Sequence, residues 1–231
     1  MHTMSKSGVD IIELGIPFTD PIADGPTIQK SIDRSLKNNT SLRDVISVVK
    51  EFRKDNNDTA VVLMGYMNPV HKMGIDKFAK QINDTGVDGV LIVDSPPEES
   101  VMLNKYLTKY KKSHIYLASP TTTDQRMKNI SKMSSGYVYY VTIKGITGSQ
   151  LSNVSSIRKN VNKIKKYSNN NLPVAVGFGI KDSSSAQKMA AFSDGIIIGS
   201  SIVELIHKYS NNEKKMNSKL STYISSISNV I

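Results

Sequence analysis

Seven short apolar runs punctuate the chain, at residues 10–14, 60–64, 89–93, 115–118, 137–141, 173–177 and 195–198. Each has the length of a strand and is rich in Val, Ile, Leu or Tyr, so each is predicted as a strand. Between them the apolar period changes. Over 41–54, Leu42, Val45, Ile46, Val49 and Phe52 fall on one helical stripe. Over 75–85 the stripe is Ile75, Phe78, Ala79 and Ile82, and over 153–167 it is Val154, Ile157, Val161 and Ile164. The tail, 211–231, reads as a last amphipathic helix with Met216, Leu220, Tyr223 and Ile224 inward. Ser41 and Asp124 stand where N-caps are expected.

Strands alternating with helices argue for a parallel sheet covered on both faces. A closed barrel and an open doubly wound sheet both fit that alternation, and periodicity does not choose between them. Seven strands are readable, where a complete barrel has eight. No linker or shift of composition marks a second domain, so residues 1–231 are expected to form one; Asn169-Asn170-Asn171 is a polar loop.

Composition narrows the function classes. A 39% hydrophobic fraction supports a packed core. No window is apolar for the roughly 18 residues a membrane span needs, and the first residues carry no apolar segment of the kind a secretory signal needs. The chain has no cysteine, which removes disulfides, thiolate nucleophiles and cysteine metal ligands. His2, His71, His114 and His207 lie far apart, so no metal site is expected. The net charge of +10 raises nucleic acid as a partner. The lysines at 105, 109, 111 and 112, and at 159, 163, 165 and 166, are scattered over expected outer helices. They read as solvated faces with at most weak attraction for an anion, and no nucleic-acid binding is expected.

Candidate chemistry begins at the first strand. In Asp10-Ile11-Ile12-Glu13-Leu14-Gly15, alternation puts Ile11 and Glu13 on one face and Ile12 and Leu14 on the other. Helices cover the outside of a parallel barrel, so the acid belongs inside, at the C-terminal rim where barrel active sites lie. Burial there raises a carboxyl pKa and suits a group that both gives and takes a proton. The following loop, 15–29, holds Asp20 and Asp24 among three prolines and two glycines, with Thr27 as a cap for the next helix. It reads as a shaped active-site loop. Late in the chain, Gly148, Gly177, Gly179 and Gly199 fall at or just after expected strand ends. Glycines there let backbone N–H groups approach an oxyanion, and Ser200 can start a helix pointing at it. After Gly179 comes Ile180-Lys181-Asp182 rather than the third glycine of a dinucleotide fingerprint.

The run from Glu13 to Gln29, Glu-Leu-Gly-Ile-Pro-Phe-Thr-Asp-Pro-Ile-Ala-Asp-Gly-Pro-Thr-Ile-Gln, resembles the signature of the tryptophan synthase alpha subunit family, with Thr19 in place of its usual serine. Leu-Met-Gly-Tyr-Met-Asn-Pro at 63–69, Asp-Ser-Pro-Pro-Glu-Glu at 94–99, Gly-Ile-Thr-Gly at 145–148, Gly-Phe-Gly-Ile at 177–180 and Gly-Ser-Ser-Ile-Val at 199–203 are similar to its further motifs. The resemblance runs from about Gly8 onward. It implies a phosphate-binding (βα)8 TIM barrel, and retro-aldol cleavage of indole-3-glycerol phosphate to indole and D-glyceraldehyde 3-phosphate.

On that resemblance Glu13 is the acid and base, Asp24 accepts the indole N–H, and Tyr139 lies near the substrate. The phosphate falls to Gly148, Gly177, Phe178, Gly179, Gly199 and Ser200. Met64, Leu91, Val93, Leu117 and again Phe178 wall the indole slot, and Thr147 latches a closing loop onto Asp24. The approach Thr142-Ile143-Lys144 departs from relatives, and closure is expected to differ accordingly. No cofactor is implied on this chain. Pyridoxal phosphate belongs to a beta subunit, its expected partner in an alpha2-beta2 tetramer, in cytoplasm or plastid stroma. The family also has a preceding helix and first strand that this sequence lacks. A start upstream of Met1 is the favoured explanation, over a reduced protein. The competing functional expectation is an impaired subunit that mainly activates its beta partner.

Overall fold

The computed structural model describes residues 1–142, 150–177 and 179–231, apart from the side chains of 150–153. A short α1 (His2–Lys6) leads into β1 (Ile11–Gly15), α2 (Pro26–Lys37) and α3 (Leu42–Phe52). Then come β2 (Ala60–Gly65), α4 (Met67–Met73), α5 (Ile75–Asp84), β3 (Gly89–Ile92), α6 (Val101–Lys109), β4 (Ser113–Ala118) and α7 (Asp124–Met133). The chain continues through β5 (Val138–Val141), α8 (Gln150–Tyr167), β6 (Val174–Gly177), α9 (Ser183–Ala190), β7 (Gly195–Ile197), α10 (Ser200–Lys208) and α11 (Glu213–Ser228). Every apolar run read from the sequence is a strand, within two residues at either end.

The strands form one sheet in chain order, β1 to β7, each parallel to the next. The sheet is strongly curled. Tyr137, entering β5, hydrogen-bonds Glu13 of β1 at 2.5 Å. On a flat sheet four strand spacings of ~4.8 Å would keep these residues far beyond side-chain reach. Curling decides the alternative that periodicity left open: this is the α/β barrel architecture of the TIM type, with seven strands among the described residues.

Its two faces have different residues because parallel strands are buried on both sides. Outside, Ile12, Val61, Leu63, Val90 and Ile92 pack with Leu42, Val45, Val49, Phe52, Phe78 and Ile82 of the helices. A second outer cluster joins Val138, Tyr140, Val174 and Val176 to Ile157, Val161 and Ile164. Inside, Val62, Leu91, Ile115 and Tyr137 form a buried floor, with Met64, Val93, Leu117, Tyr139, Ala175 and Ile197 partly buried above it.

The N-terminal end of the barrel is tied by a device used twice. Asp88 accepts from Val61 N at 2.7 Å and from the Arg53 guanidinium at 2.5 Å. Asp194 accepts from Val174 N at 2.9 Å and from Lys165 Nζ at 2.8 Å. Each carboxylate satisfies an N–H at the start of a strand and neutralises a helix cation. Between β1 and β7, among the described residues, helices rather than a strand close the gap. Thr3 Oγ1 donates to Asn217 Oδ1 at 3.0 Å and Ser7 Oγ to Ser221 Oγ at 3.0 Å, while Ile202, Leu220 and Ile224 bury against Met4 and Val9.

Two expected caps differ. Thr123, not Asp124, caps α7, its hydroxyl accepting from Arg126 N at 3.3 Å, and Asp124 sits in the first turn paired with Lys163. Gly25 precedes α2 with Pro26 at the first helical position, so Thr27 lies inside the helix. A proline there fixes the helical φ and starts the helix without a polar cap. Ser41 does cap α3, with its backbone N–H donating to Asp44 at 2.8 Å.

Candidate active site

Glu13 lies on β1 facing inward, as the alternation of Ile11, Ile12 and Glu13 requires, while Ile12 is buried in the outer layer. Burial raises the pKa of Glu13 to about 7, against the opposing pull of the hydrogen bond donated by Tyr137. A carboxyl that titrates near neutrality exchanges protons readily in both directions. The charge of Glu13 in turn holds the Tyr137 phenol protonated, beyond the effect of burial. Tyr137 is thus a fixed donor aimed at the candidate acid.

Asp24 is set by the loop after β1. That loop is fastened from β2: Tyr66 Oη donates to Asp24 Oδ2 at 2.6 Å and accepts from Ala23 N at 3.1 Å. Phe18 packs on the Tyr66 ring with centroids 5.4 Å apart. Gln29 Nε2, in the first turn of α2, donates to Asp24 O at 2.9 Å. The loop's prolines therefore work together with side chains that clamp it from two elements.

Tyr139 relates the two acids. It sits two residues after Tyr137 on the same face of β5, partly buried in the interior cluster. Burial, then the charges of Glu13 and Asp24, push its pKa up. Both carboxylates therefore act on one phenol at one mouth. The Tyr139 ring lies across Gly177 of β6, where an added Cβ would fall 2.7 Å from its hydroxyl. Gly177, read from the sequence as part of an anion cradle, is also the space that the tyrosine occupies.

The candidate slot residues come together around this phenol. Met64, Val93 and Leu117 stand partly exposed in the interior cluster, and Leu91 is fully buried beneath them as floor. Gly179 adopts φ +32, a backbone region that favours glycine. Gly199 precedes α10 and Ser200 opens it. A Cβ at Gly199 would meet nothing nearer than Ile28 Cδ1 at 4.0 Å, so packing does not demand a glycine there and the space is open to a ligand. Thr147, Gly148 and Phe178 lie outside the described residues. Sequence reasoning gave no role to Tyr66 or Tyr137. For Tyr137 a signal existed, its spacing of two from Tyr139 on one strand. For Tyr66, only the curl of β2 toward the loop brings the hydroxyl to Asp24.

The family model described as tryptophan synthase alpha chain matches residues 1–231. The tryptophan synthase alpha chain of Vesicomyosocius okutanii is 43% identical over 231 residues, covering 100% of this chain and 86% of its own. That of Marinobacter nauticus is 51% identical over 209 residues, 90% of this chain and 77% of its own. Among solved structures, the tryptophan synthase subunit alpha of Legionella pneumophila superposes with a TM-score of 0.90 at 38% identity, covering 100% of this chain and 85% of its own. A chain of the Pyrococcus furiosus tryptophan synthase complex superposes with a TM-score of 0.81 at 33% identity, covering 94% and 85%.

Proposed function

The chain belongs to the tryptophan synthase alpha chain family and is a lyase of tryptophan biosynthesis; from that premise we propose how its mouth performs the cleavage of indole-3-glycerol phosphate. The substrate lies with its indole on Met64, Val93 and Leu117, above Leu91. Glu13 gives a proton to indole C3, which breaks the ring's aromaticity and makes that carbon a leaving group. It then takes the proton of the adjacent side-chain hydroxyl. The carbon–carbon bond breaks, its electrons restore the indole, and the former alcohol carbon leaves as the aldehyde of D-glyceraldehyde 3-phosphate. One proton goes in and one comes out, so a single carboxyl with a pKa near the working pH suffices.

Positive character on the indole nitrogen in the protonated intermediate calls for an anion, and Asp24 is that anion. Tyr139 stands over the reacting centre between the two acids. The phosphate is held by the N–H groups and hydroxyl at the start of α10, Gly199 and Ser200, with Gly179, Gly177, Gly148 and Phe178 completing the loops around it. Thr147 is the proposed latch to Asp24. The observation that carries the reading is Glu13 itself: an inward carboxyl raised to about 7 by burial and fixed by a tyrosine donor. The competing picture of an impaired subunit is disfavoured by the same observation.

The chain acts as one domain, residues 1–231, a reading supported by the packing of α1 on α11. The chemistry asks for no cofactor here. Pyridoxal phosphate is assigned to a beta chain, with which this chain forms an alpha2-beta2 tetramer, in cytoplasm or plastid stroma. The test is release of indole from indole-3-glycerol phosphate by the purified chain, with and without a beta chain. Release in both, faster in the second, is expected. Activation of the beta chain with no cleavage in either would establish the impaired subunit instead.

A further inference from the structure

Asp24 follows β1 and Ser200 follows β7, the two strands at the edges of the sheet. Side chains bridge the elements that carry them. Thr27 Oγ1, in the first turn of α2, donates to Glu204 Oε1 of α10 at 2.8 Å. Glu204 lies four residues after Ser200, so the two share one helix face a turn apart. Ile28 lies on the same side: its Cδ1 is 4.0 Å from where a Cβ on Gly199 would stand. On its other side the same turn is fastened to the catalytic loop, because Gln29 Nε2 donates to Asp24 O at 2.9 Å. Thr27 therefore reaches α10 and Gln29 reaches Asp24, with Ile28 between them on the side of Gly199.

We propose that the first turn of α2 couples the phosphate end of the site to Asp24, with Thr27 and Glu204 as positioning residues. The inference rests on the reading of Gly199 and Ser200 as the anion site. An anion seated there restrains the start of α10, and with it Glu204 on the same face. Thr27 carries the restraint into α2, and Gln29 passes it to the backbone of Asp24. The phosphate then orders the aspartate that meets the other end of the substrate. Such coupling needs only that ordering one end makes ordering the other less costly in entropy.

Amide hydrogen exchange of the full chain, with glycerol 3-phosphate as the probe, tests this without turnover. In the parent, the probe should slow exchange at residues 199–203 and also at Ala23 and Asp24. In Thr27→Val and in Glu204→Ala, slowing at 199–203 should persist within about twofold. Slowing at Ala23 and Asp24 should fall at least about fivefold, with the double variant no worse than either single one. Glu204→Gln keeps an oxygen acceptor and should restore it. Both side chains are surface contacts, so the variants should fold as the parent does. A merely structural contact would speed loop exchange without the probe and leave the probe's effect intact; that result overturns the link. Slowing at 199–203 but not in the parent's loop also overturns it, and leaves the phosphate reading standing. No slowing at 199–203 in the parent removes the phosphate reading and the link with it.

Discussion

At the β1 side of the mouth, the candidate catalytic groups are side chains held by other side chains: Glu13 by Tyr137, Asp24 by Tyr66. At the β6–β7 side the proposed phosphate grip is backbone, with glycines at 177, 179 and 199 and the start of α10. The two sides should fail differently. The first depends on chemical identity: a change that keeps shape but removes charge disables it. The second depends on space: an added methyl matters while chemistry hardly changes. The difference follows from their tasks. Proton transfer needs one group of matched pKa, whereas a phosphate needs several weak donors at close range.

The comparison is most exposed at Asp24. Asp24→Asn keeps size and loses charge, and kcat should fall by about 10² or more, as for loss of a group that stabilises developing charge. Steady-state cleavage kinetics check this; a rate within a fewfold of the parent would show that charge is not what the loop supplies. The matching change on the other side is Gly199→Ala. Its methyl would stand 4.0 Å from Ile28 Cδ1, an ordinary van der Waals distance, so the melting temperature should hold. KM should rise about tenfold with kcat nearly constant, since the methyl obstructs binding in ground and transition states alike. A stability loss with unchanged KM would make Gly199 a packing residue.

A smaller effect separates donor from acid. Tyr137→Phe removes a hydrogen bond that favours the ionised form of Glu13, so the Glu13 inflection in the pH–rate profile should move above about 7. An inflection that stays or moves down would show that Tyr137 does not set the proton affinity.

How much of this the sequence carried differs between the same two sides. The strands were legible because each is an apolar run of fixed length, and Glu13 was placed inward by alternation with Ile12. The proposed phosphate side rests on glycine spacing at strand ends, and the structure places Gly177 at the end of β6 and Gly199 just before α10. Tyr137 and Tyr66 were not legible as partners of the acids. Their contacts join β5 to β1 and β2 to a loop, and only closure of the sheet brings such residues together. Thr27 was misread for a related reason: locally it looks like a cap, but Pro26 starts the helix and frees the hydroxyl for Glu204. Gly177 was read only as part of an anion cradle, and the ring of Tyr139, reachable only once the sheet is formed, supplies a separate reason for glycine there.

Glu13 is, on the proposed reading, an inward, partly buried carboxyl with a folded pKa of about 7, raised from its ordinary 4.5. A carboxyl with a raised folded pKa destabilises the folded state because the unfolded chain ionises first. That cost is absent below pH 4.5, where both states are protonated, grows as pH rises from 4.5 to about 7, and is complete above 7, so stability is lost over that window. The decisive measurement is Glu13→Gln, followed for turnover and for unfolding free energy at pH 5 and pH 8.5. Cleavage should fall by at least about 10³. The variant's stability relative to the parent should rise by about 2 kcal/mol between the two pH values. Retained turnover, or a variant destabilised equally at both pH values, would contradict it.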